Sequence, residues 1–155
     1  MKTSLATVHY DDSAMSHHNN GNLVRILLVE DHQIAAKAVL LNLAAIGGYQ
    51  VDVAERGQLA YDMALKHDYQ LILMDIGLPD MDGYEVTRLI REHEAEISKD
   101  RHTPIVALTA HSNEESQRRC LIAGIDMVVI KPLLRESLYK IIRFAFPAEK
   151  NRVMQ

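Results

Sequence analysis

The sequence contains one cysteine, Cys120, and no tryptophan among its 155 residues. A single cysteine excludes an internal disulfide and a zinc site built from several cysteines, and it favours a reducing compartment. No apolar run approaches the roughly 20 residues that cross a bilayer, and the N-terminus lacks the apolar core of a signal peptide. The net charge of −4 gives no broad attraction to nucleic acid. These absences predict a cytoplasmic protein that neither inserts into a membrane nor binds nucleic acid.

The composition that remains is typical of one globular domain. Hydrophobic residues make up 48% of the chain and charged residues 25%. Residues 1–22 are polar and lack periodicity, so we interpret them as a flexible arm or linker, in which His17 and His18 are expected to be solvated. The domain is predicted to occupy residues 23–146, and residues 147–155 form a C-terminal tail.

Apolar strands and amphipathic helices alternate through the predicted domain. A nearly continuous apolar run is typical of a strand buried on both faces, whereas apolar residues spaced by three and four positions are typical of a helix. Five strand–helix units with short connections predict an α/β fold, in which helices cover both faces of a parallel sheet. The predicted strands are residues 23–29, 51–54, 71–74, 104–108 and 127–130.

Four of these five strands end in residues that can carry chemistry. The first strand leads into Glu30 and Asp31, and the third leads into Asp75. The fourth ends at Thr109 and the fifth at Lys131. Ligands of a doubly wound sheet bind outside the carboxyl ends of its strands. We therefore expect three carboxylates, a hydroxyl and an ammonium group to meet at one edge of the sheet.

This set of side chains predicts a particular chemistry. Three carboxylates in one cleft repel each other unless a cation lies among them, and Mg²⁺ prefers oxygen ligands. A lysine and a hydroxyl suit the oxygens of a phosphoryl group in transfer, and a carboxylate can be the nucleophile that forms an acyl phosphate. The residues thus favour magnesium-assisted phosphoryl chemistry.

Four segments of the sequence carry a family resemblance, and their order along the chain makes it specific. They are residues 26–31 (ILLVED), 73–83 (LMDIGLPDMDG), 106–110 (VALTA) and 131–133 (KPL). Together they resemble the receiver domains of bacterial two-component signalling, most closely in style those of hybrid sensor histidine kinases. The resemblance covers residues 23–146 and implies a flavodoxin-like, doubly wound (βα)5 fold with strand order 2-1-3-4-5.

The resemblance also implies a metal site. Asp75 would be the phosphoacceptor and a metal ligand. Asp31 would bind Mg²⁺ directly, Glu30 directly or through water, and Gly77 through its backbone carbonyl. Mn²⁺ could replace Mg²⁺.

Further residues receive roles from the same resemblance. Thr109 and Lys131 would bind oxygens of the phosphoryl group, and the peptide bond between Lys131 and Pro132 would be cis. Val128 stands where the family often carries an aromatic switch residue. Gly77 and His111 occupy positions that tune the lifetime of the phosphoryl group, and His111 is a candidate modulator of hydrolysis.

The implied function is a phosphorelay step rather than turnover of an external substrate. The domain would take a phosphoryl group from phosphohistidine, catalysing its own phosphorylation and dephosphorylation. It would then switch partner binding or pass the group to a histidine phosphotransfer domain. A histidine kinase or such a phosphotransfer domain is the expected partner, the parent chain could be a hybrid histidine kinase, and the domain is expected to be a monomer or weak dimer.

The first helix is apolar on more than one side. Its apolar stripe at helical spacing is taken to be Ile34, Ala38, Leu41 and Ala45, with Val39, Leu40 and Leu43 extending the apolar surface. We expect the outer face, including Leu40 and Leu43, to dock the helical bundle of the phosphodonor. Tight packing within the fold is the alternative. Cys120 is expected to be a small buried hydrophobic residue on a later helix.

Three other functions fit less well. A phosphatase of the haloacid dehalogenase type needs a second acid two residues after its nucleophile, where this chain has Gly77. A flavin-binding module needs a phosphate-binding loop after the first strand, and the segment from Asp31 to Ile34 does not provide one. An interaction module without phosphorylation would not need the complete set of site residues.

Overall fold

The computed structural model of the protein describes residues 23–147. Within this range, strands and helices alternate, and the five strands form one parallel sheet in the order β2-β1-β3-β4-β5. The predicted strand order and fold class are confirmed. The strands are β1 Val24–Val29, β2 Tyr49–Ala54, β3 Leu71–Asp75, β4 Ile105–Thr109 and β5 Met127–Ile130. The helices are α1 Gln33–Ile46, α2 Gly57–Lys66, α3 Gly83–Ile97, α4 Glu114–Ala123 and α5 Arg135–Ala145.

Two apolar cores lie on the two faces of the sheet. Because alternate residues of a strand point to opposite faces, Ile26 and Leu28 of β1 join the core under α1 and α5. Leu27 and Val29 join the core under α2, α3 and α4. Cys120 is buried in this second core, as predicted. Among the described helices, none is long and apolar enough to cross a membrane.

The orientation of α1 differs from the prediction. Leu43 is fully buried and Val39 is 5% exposed, whereas Ile34 is 76% and Leu41 68% exposed. The predicted apolar stripe therefore faces solvent, and the expectation that Leu43 lies on the outer face is wrong. Since apolar residues occur on both sides of this helix, their spacing alone does not indicate which side faces the sheet.

The C-terminal end of α3 is also less solvated than its charge suggests. Although Glu94 stands in a run of charged residues, only 4% of it is exposed. Its carboxylate pairs with Arg91 at 2.6 Å and accepts a hydrogen bond from the Thr103 amide at 2.6 Å. Arg91 pairs with Asp126 as well, at 2.8 Å. Buried carboxylates are tolerated when they are paired in this way.

Helix α2 is capped by a residue from a distant loop. Its own N-cap residue, Arg56, makes no side-chain hydrogen bond to the helix. Asp80, in the loop between β3 and α3, accepts hydrogen bonds from the amides of Gly57 at 2.8 Å and Gln58 at 3.0 Å. Although partial burial acts in the opposite direction, these hydrogen bonds lower the pKa of Asp80 below its usual 3.8. The carboxylate thus stabilises the helix terminus in its charged form.

Replacing Asp80 with alanine is expected to lower the free energy of unfolding by about 1 kcal/mol at neutral pH. Because folding lowers the pKa of this carboxyl, its contribution is fully present above pH 3.8 and is lost as the pH falls through the lowered pKa. Urea denaturation at several pH values measures the difference between wild type and variant. Asp100→Ala, in an exposed loop, is the control. A difference that stays constant into strong acid would contradict the electrostatic origin.

Candidate active site

The carboxyl ends of β1, β3, β4 and β5 surround one cleft. The structure brings together the five side chains that the sequence placed at strand ends: Glu30, Asp31, Asp75, Thr109 and Lys131. The cis peptide bond expected between the last of these and its following proline is present. Parallel pairing explains the convergence, since neighbouring strands run in register to the same edge.

Three carboxylates form the acidic part of the cleft. Glu30, Asp31 and Asp75 each offer an oxygen atom, and these atoms lie within 4.8 Å of one another. Glu30 and Asp75 are buried, whereas Asp31 is exposed. An all-oxygen donor set with one side open to solvent fits a hard divalent cation that keeps several waters. The residues present can therefore hold a metal ion.

Lys131 supplies the opposite charge. Its Nζ atom lies 2.8 Å from a Glu30 oxygen and 3.2 Å from Asp75 Oδ1. Burial acts to lower the pKa of Lys131, but its bonds to the two carboxylates outweigh burial and raise it. Burial raises the pKa of Glu30, and the hydrogen bond from Lys131 only partly opposes that effect. The ammonium group therefore stays charged and offsets part of the carboxylate repulsion.

The loop after β3 borders the phosphoacceptor candidate closely. The Gly77 amide donates a hydrogen bond to Asp75 Oδ1 at 3.1 Å. A Cβ atom at Gly77 would meet only this same oxygen, at 4.0 Å, so the side of the cleft at Gly77 is open. Gly83, at the start of α3, leaves no such room, because a Cβ there would lie 2.6 Å from the Asp75 carbonyl oxygen. A glycine at position 83 lets α3 begin directly against the end of β3.

Thr109 lines the cleft, but its hydroxyl is engaged within its own loop. It donates to the His111 carbonyl oxygen at 3.0 Å and accepts from the His111 amide at 3.2 Å. His111 is exposed and also borders the cleft. The sequence placed both residues at this edge, but it gave no indication of the hydrogen bonds between them.

Sequence reasoning assigned no role to His32, which also lines the cleft. Its ring Nδ1 accepts a hydrogen bond from the Ala35 amide at 3.3 Å and so caps α1. Its own amide donates to a Glu30 carboxylate oxygen at 3.2 Å. The available signal was its place, directly before the first apolar helix. His32 therefore fixes the start of α1 beside the acidic residues.

The sequence model of one protein family, the response regulator receiver domain, matches residues 26–143, about three quarters of the chain. The chain therefore belongs to the family of response regulator receiver domains. It is a receiver domain of two-component or phosphorelay signalling, as the four sequence segments predicted.

Individual relatives agree with this assignment. The chain is 35% identical over 127 residues to hybrid signal transduction histidine kinase F of Dictyostelium discoideum. The aligned region covers 82% of this chain. It is 35% identical to the receiver domain of sensor histidine kinase PA1611 from Pseudomonas aeruginosa, solved with a magnesium ion in its active-site cleft. The TM-score is 0.68, and the match covers 79% of this chain and 97% of that one.

A third relative was solved with a partner. The receiver domain of Ssk1 from Saccharomyces cerevisiae, crystallised with the histidine phosphotransfer protein Ypd1, is 28% identical with a TM-score of 0.71. That match covers 79% of this chain and 89% of the other.

This chain spans only 11% of the length of the Dictyostelium kinase. Since relatives occur in bacteria and in eukaryotes, similarity alone does not place the chain in bacteria.

Proposed function

We propose that Asp75 accepts a phosphoryl group from a phosphohistidine donor and becomes an acyl phosphate. An Asp75 carboxylate oxygen attacks the phosphorus atom, and the phosphorus–nitrogen bond of the donor breaks. The imidazole leaves with the electron pair of that bond and takes up a proton from solvent. One observation carries the proposal: the buried Asp75 carboxylate ends the central strand, beside the Lys131 ammonium group and the carboxylates of Glu30 and Asp31.

Four groups would hold Mg²⁺, or Mn²⁺ in its place. They are the carboxylates of Glu30, Asp31 and Asp75 and the backbone carbonyl of Gly77. The cation would neutralise charge on the phosphoryl oxygens during transfer. The all-oxygen donor set supports this proposal, as does the magnesium ion in the related PA1611 domain.

Lys131 and Thr109 would bind phosphoryl oxygens. Lys131 Nζ already lies 3.2 Å from Asp75 Oδ1, so its ammonium group is placed to bind an oxygen of a phosphoryl group whose phosphorus is attached to this carboxylate. Thr109 would first release its hydrogen bond to His111.

The same site would also catalyse its own dephosphorylation. Water could reach the acyl phosphate on the open side at Gly77, and His111 would modulate the reaction. The rate at which the phosphorylated protein loses its phosphoryl group tests this step.

The direct test of the proposed function is incubation of the full chain with acetyl phosphate and Mg²⁺. We expect one phosphoryl group per chain, bound in a linkage that alkali hydrolyses, and no label when EDTA removes the metal. The same extent of labelling with and without EDTA would contradict a metal-assisted site. Absence of label under all conditions would contradict the phosphoacceptor function itself.

The outer face of α1 is the proposed docking surface for the donor. This face consists of Ile34, Ala38, Leu41 and Ala45, all exposed. It lies directly after Asp31, so a helical bundle docked there would bring its histidine near the cleft. The Ssk1 receiver, crystallised with a histidine phosphotransfer protein, supports a partner of this kind.

Replacing Leu41 with glutamate is expected to slow phosphoryl transfer from a histidine phosphotransfer protein at least about tenfold, because the charge would be desolvated at the docked surface. Labelling by acetyl phosphate, which needs no docking, should remain unchanged. Leu121→Glu places the same charge on α4, at a leucine that is 77% exposed compared with 68% for Leu41, and is the matched control. Equal loss with both phosphodonors would contradict the docking role.

The proposal also includes the domain boundaries, the cellular location and the oligomeric state. We place the receiver domain at residues 23–146, with residues 1–22 as an arm and 147–155 as a tail, outside the described range except for Pro147. His17 and His18 lie outside it too. The domain would act in the cytoplasm as a monomer or weak dimer, free-standing or within a hybrid histidine kinase.

A further inference from the structure

The loop between β3 and α3, residues 76–82, carries the Gly77 carbonyl that is proposed to bind the metal ion. At one end, Leu78 packs into the core beneath α2 and α3. At the other end, Asp82 caps α3 by accepting a hydrogen bond from the Glu85 amide at 2.9 Å. Between these two residues, Asp80 makes the contact that joins the loop to a different helix.

This contact uses both oxygens of the Asp80 carboxylate. Oδ1 accepts from Gly57 and Oδ2 from Gln58, at 2.8 and 3.0 Å. The loop backbone lies directly against the helix, since a Cβ atom at Gly57 would come within 2.9 Å of the Met81 carbonyl oxygen. Two hydrogen bonds from successive amides to one carboxylate fix the direction of approach as well as the distance.

We propose that Asp80 is a positioning residue for the metal site: by holding the loop on the N-terminus of α2, it places the Gly77 carbonyl where a cation shared by the carboxylates can bind it. This inference rests on the proposed function, because it assumes that Gly77 is a metal ligand. Asp80 itself lies three residues further along the chain and belongs to no acidic cluster of the cleft.

The Asp80 contact limits where the loop can move. Without the Asp80 carboxylate, the amide of the exposed Gln58 can bond to water, whereas the amide of the buried Gly57 loses its partner. Within residues 23–147, no other hydrogen bond would then hold the middle of the loop, and the metal ion would have to order it on binding. Removing partners that orient the ligands of a metal commonly weakens its binding by about 10- to 100-fold.

The test measures Mg²⁺ affinity by isothermal titration calorimetry on the full chain. We expect Asp80→Ala to raise the dissociation constant about tenfold, and Asp80→Asn, whose amide oxygen can still accept one bond, to raise it less. The control is Ile142→Val in the opposite core, a variant with a stability loss of similar size. Ile142→Val should leave the dissociation constant unchanged.

A second measurement separates positioning from general destabilisation. Amide hydrogen exchange at Gly57 and Gln58 should accelerate in Asp80→Ala and stay unchanged in Ile142→Val. Wild-type affinity in Asp80→Ala, or equal weakening in Asp80→Ala and Ile142→Val, would overturn the inference while leaving the proposed function intact. Failure of the wild-type chain to bind Mg²⁺ would instead contradict the proposed function.

Discussion

Replacing Asp75 with asparagine is expected to abolish phosphorylation of the chain by acetyl phosphate. The carboxamide is nearly the same size and can still accept the hydrogen bond that the Gly77 amide donates, but it is not a nucleophile at neutral pH. The fold should not suffer, because the substitution removes a negative charge that raises the pKa of Glu30. The extent of labelling in intact protein, measured by mass spectrometry, gives the result.

Asp82→Asn is the matched control for this experiment. Asp82 lies at the start of α3, and asparagine is as good a helix cap as aspartate. The variant should therefore be labelled like the wild-type chain. Undiminished labelling of Asp75→Asn would show that another residue receives the phosphoryl group.

The second large effect is expected at Lys131, where one substitution should change two measurements in opposite directions. Lys131→Ala should slow phosphorylation about 10²-fold, because the ammonium group that meets the charge of the incoming phosphoryl group is lost. It should also strengthen Mg²⁺ binding about tenfold, since Lys131 and a cation compete for the same oxygens of Glu30 and Asp75.

The metal-free variant should also be less stable, by about 3 kcal/mol, because the buried Glu30 carboxylate loses its cationic partner. Mg²⁺ should restore most of this loss. Lys140→Ala, on the exposed side of α5, is the control in all three measurements. Weaker Mg²⁺ binding in Lys131→Ala would contradict the competition that the distances imply.

The position of Thr109 bears on how phosphorylation would change the surface of the domain. Moving its hydroxyl to a phosphoryl oxygen breaks a neutral hydrogen bond to His111, worth about 1 kcal/mol, and forms one to a charged group, worth roughly 1.5–3 kcal/mol. The net gain is small, so phosphorylation would shift the population of two loop positions rather than impose one. Because Val128 stands at the aromatic switch position, this loop movement would have to act without an aromatic rotamer change.

The sheet was predictable because its signals are local. The apolar runs of β1 and β3 are long and uninterrupted, as expected for strands covered on both faces. Once the strands were placed, parallel topology alone required Asp31, Asp75 and Lys131 to meet at one edge. The boundary of β2 was less clear. This strand begins at Tyr49, two residues before the predicted start, directly after the helix-ending residues Gly47 and Gly48.

The features that sequence reasoning missed depend on contacts between distant segments. The burial of Glu94 requires Thr103 and Arg91 to be nearby, and the cap of α2 requires Asp80, more than 20 residues away. Both sides of α1 are apolar, and the side that faces the sheet is the one whose side chains pack into the core. Leu43 is one of these packed side chains. No periodicity in the chain encodes these three outcomes.

The central claim is that the carboxylate of Asp75 receives the phosphoryl group. The most direct measurement is peptide mapping of the wild-type chain after phosphorylation in Mg²⁺ and reduction with borohydride, which converts the acyl phosphate of an aspartate into homoserine. We predict homoserine at position 75 and at no other aspartate. Homoserine at Asp31 or another aspartate, or a phosphoryl group found on histidine, serine or threonine with residue 75 unchanged, would contradict the account.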